Sequence, residues 1–355
     1  MSGVTFRCTA ALLLLVSALS LAACGGGSSD DDVSSGASSS SGSSSGGSSS
    51  SSSSGASSSS SGGSASGGSS GSGAVGGLTP TPGTVAFTRS ISFGGQQRQV
   101  LYITPATATS ANPPVLLMLT YPEGTPVFMA NLTRAGRIAA SYGAWVIIPA
   151  PSLSGKWADN PANPLQTTDD VGFLATVIAD AGSSYRVDTG KVYAAGYSNS
   201  AFMVERVNCD RADLLAGAAM IAATERDVMV PLCKPSRAVP AVFFNGTDDL
   251  VVPYNGLPTI LLSAQQAYAN WQTYNSCTGT GATNSIPAAV SDGTAVQLLQ
   301  NTACANGSAV ALYTITGGGH TWPGNQTGII DRAYLGPTTQ NLDATLALWQ
   351  FFTAR

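Results

Sequence analysis

One histidine occurs in the chain, His320, set in Gly317-Gly318-Gly319-His320-Thr321-Trp322-Pro323-Gly324. Imidazole, with an unperturbed pKa of about 6.5, is the side chain best suited to moving protons at neutral pH. Chemistry run by a histidine base therefore has a single candidate base and needs a nucleophile and a carboxylate beside it. A nucleophile candidate, Ser198, stands in Gly196-Tyr197-Ser198-Asn199-Ser200. Ser200 is the rival serine, but it falls in the first turn of the helix that follows, where serine hydroxyls bond backbone N–H groups. The carboxylate candidates, Asp249 and its neighbour Asp248, stand in Phe244-Asn245-Gly246-Thr247-Asp248-Asp249-Leu250-Val251-Val252-Pro253-Tyr254. These residue types together perform acyl transfer. The serine attacks a carbonyl, the histidine takes its proton, and the carboxylate fixes the imidazole tautomer.

Hydrophobic spacing shows which elements must position them. Residues 191–195 read as a strand and 199–209 as a helix, so Ser198 falls on a tight strand-to-helix turn. Residues 241–244 read as a strand that turns through Gly246 towards the aspartates, and residues 309–315 as a strand running into the triple glycine before His320. All three candidates thus sit at the carboxyl ends of strands, where α/β sites form, in the chain order Ser, Asp, His. Elsewhere, residues 85–93 and 99–104 read as a hairpin around Gly94-Gly95, 115–119 as a buried strand and 145–148 as another. Helices are expected over 131–142, 169–181, 260–275 and 342–352, with Asp169 and Asp170 at the positive N-terminal end of the second. Strands separated by helices predict an α/β fold, a mostly parallel central sheet with helices on both faces.

Composition bounds the setting. Residues 1–23 read as a signal peptide, with Arg7 ahead of an apolar stretch too short to span a bilayer, ending in Leu21-Ala22-Ala23-Cys24. This ending resembles the bacterial lipobox, which implies lipidation of Cys24 and export to the cell envelope, anchored in the outer membrane or at the cell surface, or secreted. Residues 24–77 are almost wholly Ser and Gly and offer no apolar surface to offset ordering entropy, so they read as a disordered tether with an r.m.s. span of ~40 Å. Residues 78–355 suffice for one domain with one core. A formal net charge of −4 and no basic run exclude nucleic acid as the expected partner. Cys209, Cys233, Cys277 and Cys304 in an exported domain suggest two disulfides, with local pairing of Cys209 to Cys233 and Cys277 to Cys304. No Cys-x-x-Cys is present, so no metal site is expected.

Three segments carry a family resemblance: Gly-Tyr-Ser-Asn-Ser, Asn-Gly-Thr-Asp-Asp-Leu-Val-Val-Pro-Tyr, and Gly-Gly-Gly-His-Thr-Trp-Pro-Gly. They resemble the blocks of the polyhydroxybutyrate depolymerase and feruloyl esterase family of exported α/β-hydrolases, over about residues 85–355. The resemblance implies a serine esterase with Ser198 as nucleophile, Asp249 as acid and His320 as base. It implies no cofactor, an ester substrate such as a hydroxyalkanoate oligomer or feruloyl ester, and a monomer. Two departures stand out. Ser200 occupies a position that is glycine in the family, and Thr120-Tyr121-Pro122-Glu123-Gly124 replaces a His-Gly pair that begins the oxyanion loop. The oxyanion donors expected are the backbone N–H groups of Asn199 and Tyr121, since Pro122 has none. Trp322 and Trp157 are the aromatic candidates for lining a substrate pocket. The departures also open a second reading, a catalytically weakened surface lipoprotein that binds rather than hydrolyses.

Overall fold

The computed structural model describes residues 75–122, 124–152, 154–325 and 332–354. The expected signal peptide, Cys24 and nearly all of the tether lie outside the described residues. Residues 75–77, at the end of the expected tether, are described: Val75 packs on the core, and the Asn131 side-chain amide donates to Gly77 O.

A hairpin, β1 (Thr84–Phe93) and β2 (Gln96–Pro105), opens the domain. Next come β3 (Val115–Met118), α1 (Pro126–Thr133), α2 (Gly136–Tyr142), β4 (Trp145–Pro149), α3 (Asp170–Tyr185), β5 (Val192–Tyr197) and α4 (Asn199–Asp210). The chain continues through β6 (Gly217–Ile221), β7 (Ala241–Gly246), α5 (Ala264–Tyr274), β8 (Ala282–Ile286), β9 (Ala295–Asn301) and β10 (Val310–Thr316). It closes with the short α6 (Arg332–Leu335) and α7 (Ala344–Thr353). The strands form one sheet in the order β1-β2-β4-β3-β5-β6-β7-β10-β9-β8. The run from β4 to β10 is parallel, and antiparallel pairs extend it at both edges.

Alternate residues of each central strand feed two cores. Leu117, Ala194, Met220, Phe243 and Leu312 face Phe173, Phe202 and Trp271 of α3, α4 and α5. Their neighbours Leu116, Ala195, Ala219, Val242 and Ala311 face Leu132, Ile138 and Trp349 of α1, α2 and α7. Burial on both faces accounts for the unbroken apolar runs of these strands. Both disulfides pair as expected, Cys209 with Cys233 and Cys277 with Cys304.

Several elements depart from the sequence reading. The helix expected over 131–142 is two helices. Thr125 caps α1 from the front, accepting from Phe128 N, with Pro126 in the first turn. Arg134, at φ 51°, then ends it, and its guanidinium reaches Gly324 O and Asp343. α5 starts at Ala264 rather than residue 260, because Ser263 and Gln266 form a capping box. β6, Gly-Ala-Ala-Met-Ile, was not expected, its small side chains giving little periodic signal, and the β8–β9 hairpin was not expected either. Among the described residues no helix is long and apolar enough to cross a membrane.

Candidate active site

β5 delivers Ser198 on a strained turn. Its φ of 59° and ψ of −124° lie outside the regions a non-glycine residue ordinarily occupies. Ser198 N donates to Ile221 O of β6 at 2.9 Å, which pins the turn to the neighbouring strand. A side chain at Gly196 would collide with the backbone of Ser200, so the glycine two residues before Ser198 is a steric requirement. Ser200 itself is fully buried. Its Oγ accepts from Tyr197 N at 2.8 Å, and its hydrogen faces Tyr197 O at 2.9 Å and Leu119 O at 3.2 Å. This serine tightens the elbow and has no face for a substrate.

His320 and Asp249 arrive from β10 and β7. Asp249 Oδ2 lies 2.8 Å from His320 Nδ1, and both side chains are buried. Asp249 Oδ1 accepts from Val251 N and Val252 N, each at 2.8 Å, so the tight turn after β7 aims the carboxylate at the ring. Asp248, by contrast, is exposed and accepts from the Thr247 hydroxyl. The two loops approach so closely that a Cβ on Gly246 would strike the Gly318 backbone. His320 N donates to Leu335 O at 2.6 Å, and Gly319 N to Pro337 O at 2.8 Å.

Tyr197 joins base to elbow. Its ring centroid lies 5.2 Å from that of His320, and its hydroxyl donates to His320 O at 2.6 Å. Burial foremost, then the neighbouring Tyr121 and Asp249, holds this phenol well above its ordinary pKa, so it remains a donor. A neutral imidazole donating from Nδ1 to Asp249 carries its lone pair on Nε2. His320 Nε2 is buried and has no hydrogen-bond partner among the described residues. The arrangement can therefore accept a proton at Nε2 and stabilise the resulting imidazolium through Asp249.

The loop after β3 is built differently. Thr120 is fully buried; its hydroxyl donates to Pro149 O at 2.5 Å, and its carbonyl accepts from Trp157 Nε1 at 2.8 Å. The Tyr121 ring stacks on Tyr197 at 5.1 Å. Asn199 is the first residue of α4, so its N–H has no acceptor inside the helix.

The two tryptophans expected to line a pocket are placed otherwise, each about 1% exposed. Trp157 packs in one core with Arg98 stacked on its ring, and Trp322 donates from Nε1 to Thr345 Oγ1 at 3.1 Å. Both hold loops that carry candidate site residues.

Three residues beside the site were not anticipated: Asp159, Arg226 and Asp170. Asp159 and Arg226 form a salt bridge at 2.5 Å, and buried Asp170 pairs with Arg98 at 2.5 Å. No motif marks them: Asp170 follows Asp169 at a helix start, Arg226 stands between Glu225 and Asp227, and Asp159 lies three residues after Lys156. Glu205 and Glu225 lie near Arg226, both buried. Burial, foremost, and the Glu225 charge raise the Glu205 pKa well above the usual carboxylate range. Among the described residues no cluster of three or more His, Cys, Asp or Glu side chains could hold a metal ion.

No family model matches the chain. Feruloyl esterase B of Piromyces equi is 35% identical over 162 residues, which is 43% of this chain and 29% of that protein. NocK of Nocardia uniformis subsp. tsuyamanensis, a protein designated an esterase, is 27% identical over 268 residues, 69% of this chain and 76% of that protein. The solved structure of acetyl xylan esterase from Aspergillus awamori superposes with a TM-score of 0.50 at 14% identity, covering 70% of this chain and 99% of that one. The fold is that of an α/β-hydrolase, and the relatives found are esterases, in keeping with the resemblance carried by the three motifs.

Proposed function

We propose that this α/β-hydrolase-fold chain is a serine carboxylic ester hydrolase in which Ser198 is the nucleophile, His320 the base and Asp249 the acid. One observation carries the reading. The chain's sole histidine is fixed at Nδ1 by a buried aspartate, keeps Nε2 without a hydrogen-bond partner among the described residues, and packs through Tyr197 on the strained turn that bears Ser198. Ser198 Oγ attacks the ester carbonyl while Nε2 accepts its proton, and the tetrahedral oxyanion is held by the backbone N–H groups of Asn199 and Tyr121. Collapse expels the alcohol, protonated by the imidazolium. Water, deprotonated by the same histidine, then hydrolyses the acyl-enzyme to release the acid and restore Ser198.

The substrates proposed are hydroxyalkanoate oligomers, feruloyl-type esters or related small esters. The match to feruloyl esterase B and the aromatic stack of Tyr121 on Tyr197 support an aryl or acyl group lying on that side. Export is part of the proposal and is supported by the two disulfides. Anchoring through Cys24 is the localisation that the lipobox resemblance supports. The reading as a weakened, binding relative is favoured by one feature, Thr120, whose hydroxyl and carbonyl are both tied inside the protein.

The test is hydrolysis by the full chain of p-nitrophenyl acetate and butyrate, methyl ferulate, 3-hydroxybutyrate oligomers and a peptide p-nitroanilide. Ester turnover without anilide turnover, lost in Ser198→Ala, is expected. No turnover of any ester would favour the binding reading, and anilide turnover would point to a peptidase.

A further inference from the structure

Both polar ends of the Asn199 side chain are engaged. Its Oδ1 accepts from Trp157 N at 2.9 Å, and its Nδ2 donates to Asp159 Oδ1 at 2.7 Å and faces Trp157 O at 3.3 Å. Asp159 is itself held on every side. Gln166 Nε2 donates to Oδ1 at 3.0 Å, and Arg226 grips Oδ2 through Nε at 2.7 Å and Nη2 at 2.5 Å. The Arg226 guanidinium lies 4.3 Å over the ring of Phe202, one turn along α4 from Asn199. The same short segment reaches the opposite wall of the site, where Trp157 Nε1 donates to Thr120 O. One stretch, residues 157–159, thus ties together the two loops from which the oxyanion donors are drawn.

A backbone donor accelerates acyl transfer only if it already points at the place where negative charge develops. Small displacements of such groups cost about 10²-fold in rate. Asn199 N–H makes no helical hydrogen bond; the carbonyl of the same peptide, Ser198 O, accepts from Ala201 N at 2.9 Å and Phe202 N at 3.2 Å, and the Asn199 side chain adds the remaining anchor. We infer that Asp159, anchored by Arg226, is a positioning residue that clamps the Asn199 side chain and so aims the Asn199 backbone N–H at the oxyanion. Trp157 holds the Thr120–Tyr121 wall in register from the other end of the segment. The inference rests on the esterase reading of Ser198.

The test compares Asn199→Ala, Asp159→Ala, Asp159→Asn and the double variant N199A/D159A in the full chain. Readouts are kcat and KM for p-nitrophenyl butyrate and affinity for butaneboronic acid, which mimics the tetrahedral state. Asn199→Ala keeps the backbone N–H and the Asp159–Arg226 pair, so it remains decisive even if Asp159→Ala, which leaves Arg226 without its partner, fails to fold. Expected are kcat losses of about 10–100-fold with KM within about threefold and a parallel weakening of boronate binding. The double variant should be no slower than the slower single, and Asp159→Asn, whose amide oxygen still accepts from Asn199, should lose less. Singles within about threefold of wild-type kcat, changes confined to KM, or fully multiplicative losses in the double would each overturn the inference. Wild-type turnover in Ser198→Ala would overturn the esterase reading and this inference with it. An inactive Ser198→Ala beside unimpaired Asn199→Ala would overturn the positioning role alone.

Discussion

The two halves of the candidate site are assembled by different means. On the acid–base side, His320 and Asp249 sit on turns directly after adjacent parallel strands, β10 and β7. The turns are fixed chiefly by backbone N–H donors: Val251 N and Val252 N to Asp249 Oδ1, Asp248 N to Gly318 O, and His320 N to Leu335 O. On the oxyanion side, the loop after β3 and the first residue of α4 are held by side chains drawn from distant segments: Trp157, Asp159, Arg226 and, behind them, the Arg98–Asp170 pair. Backbone bonds between loops carry most of the constraint on the first side. Long-range braces spread it over the chain, so that Thr120 and Tyr121 can stand where a His-Gly pair would otherwise begin the loop.

The sharpest break of this contrast is removal of the acid–base side. Ser198→Ala and His320→Ala are each expected to lower kcat for p-nitrophenyl butyrate by about 10³–10⁶-fold in a folded protein, because either loss disables the same proton transfer. Asp249→Asn should cost about 10²–10⁴-fold by misorienting the imidazole, whereas Asp248→Asn, on an exposed carboxylate, should stay within about threefold. Equal losses at the two aspartates would show that the turn after β7 does not select one of them.

The oxyanion side should yield by degrees. Trp157→Phe keeps the ring volume but removes the donor to Thr120 O, and about 3–30-fold in kcat with about 1–2 kcal/mol of stability is expected to go with it. An unchanged kcat, with only the denaturant midpoint lowered, would mean that the brace supports the fold and not the reaction.

The last effect expected is on pH-dependent stability beside that brace, with no change in the reaction itself. Burial, opposed by hydrogen bonds from Asn270 and Tyr274, pushes the Glu225 pKa up to about 7 from an ordinary 4.5, and Glu205 beside it is raised as well. A carboxyl with a raised folded-state pKa binds more protons folded than unfolded between those two values. Its contribution is therefore complete below about 4.5 and lost as pH rises through about 7. The urea midpoint should fall between pH 5 and pH 8, the unfolding free energy with a slope of up to about 1.4 kcal/mol per pH unit per group, and Glu225→Gln should flatten both. A midpoint that rises over this window would reverse the assigned direction.

The same contrast explains what could be read from the residues alone. Ser198, Asp249 and His320 lie in local motifs at strand ends, and the structure brings the Asp249 and His320 side chains together at 2.8 Å. The parallel sheet was legible because its strands are continuous apolar runs buried on both faces. Trp157 and Trp322 were read as pocket lining because aromatic type says nothing of where an indole N–H goes; Thr120 O and Thr345 Oγ1 receive them. Asp159 and Arg226 were illegible, since 67 residues separate them and neither belongs to a motif. The break between α1 and α2 rests on the left-handed backbone of Arg134, which periodicity does not register.

The central claim is that Ser198 is a nucleophile activated by His320, and covalent labelling tests it most directly. Treatment of the full chain with a fluorophosphonate, followed by intact-mass and peptide mapping, is predicted to give one adduct per molecule, on Ser198. Labelling of the His320→Ala variant should be slowed by about 10³-fold or more. An adduct on Ser200 or any other residue, or labelling of Ser198 at an unchanged rate without His320, would contradict the account.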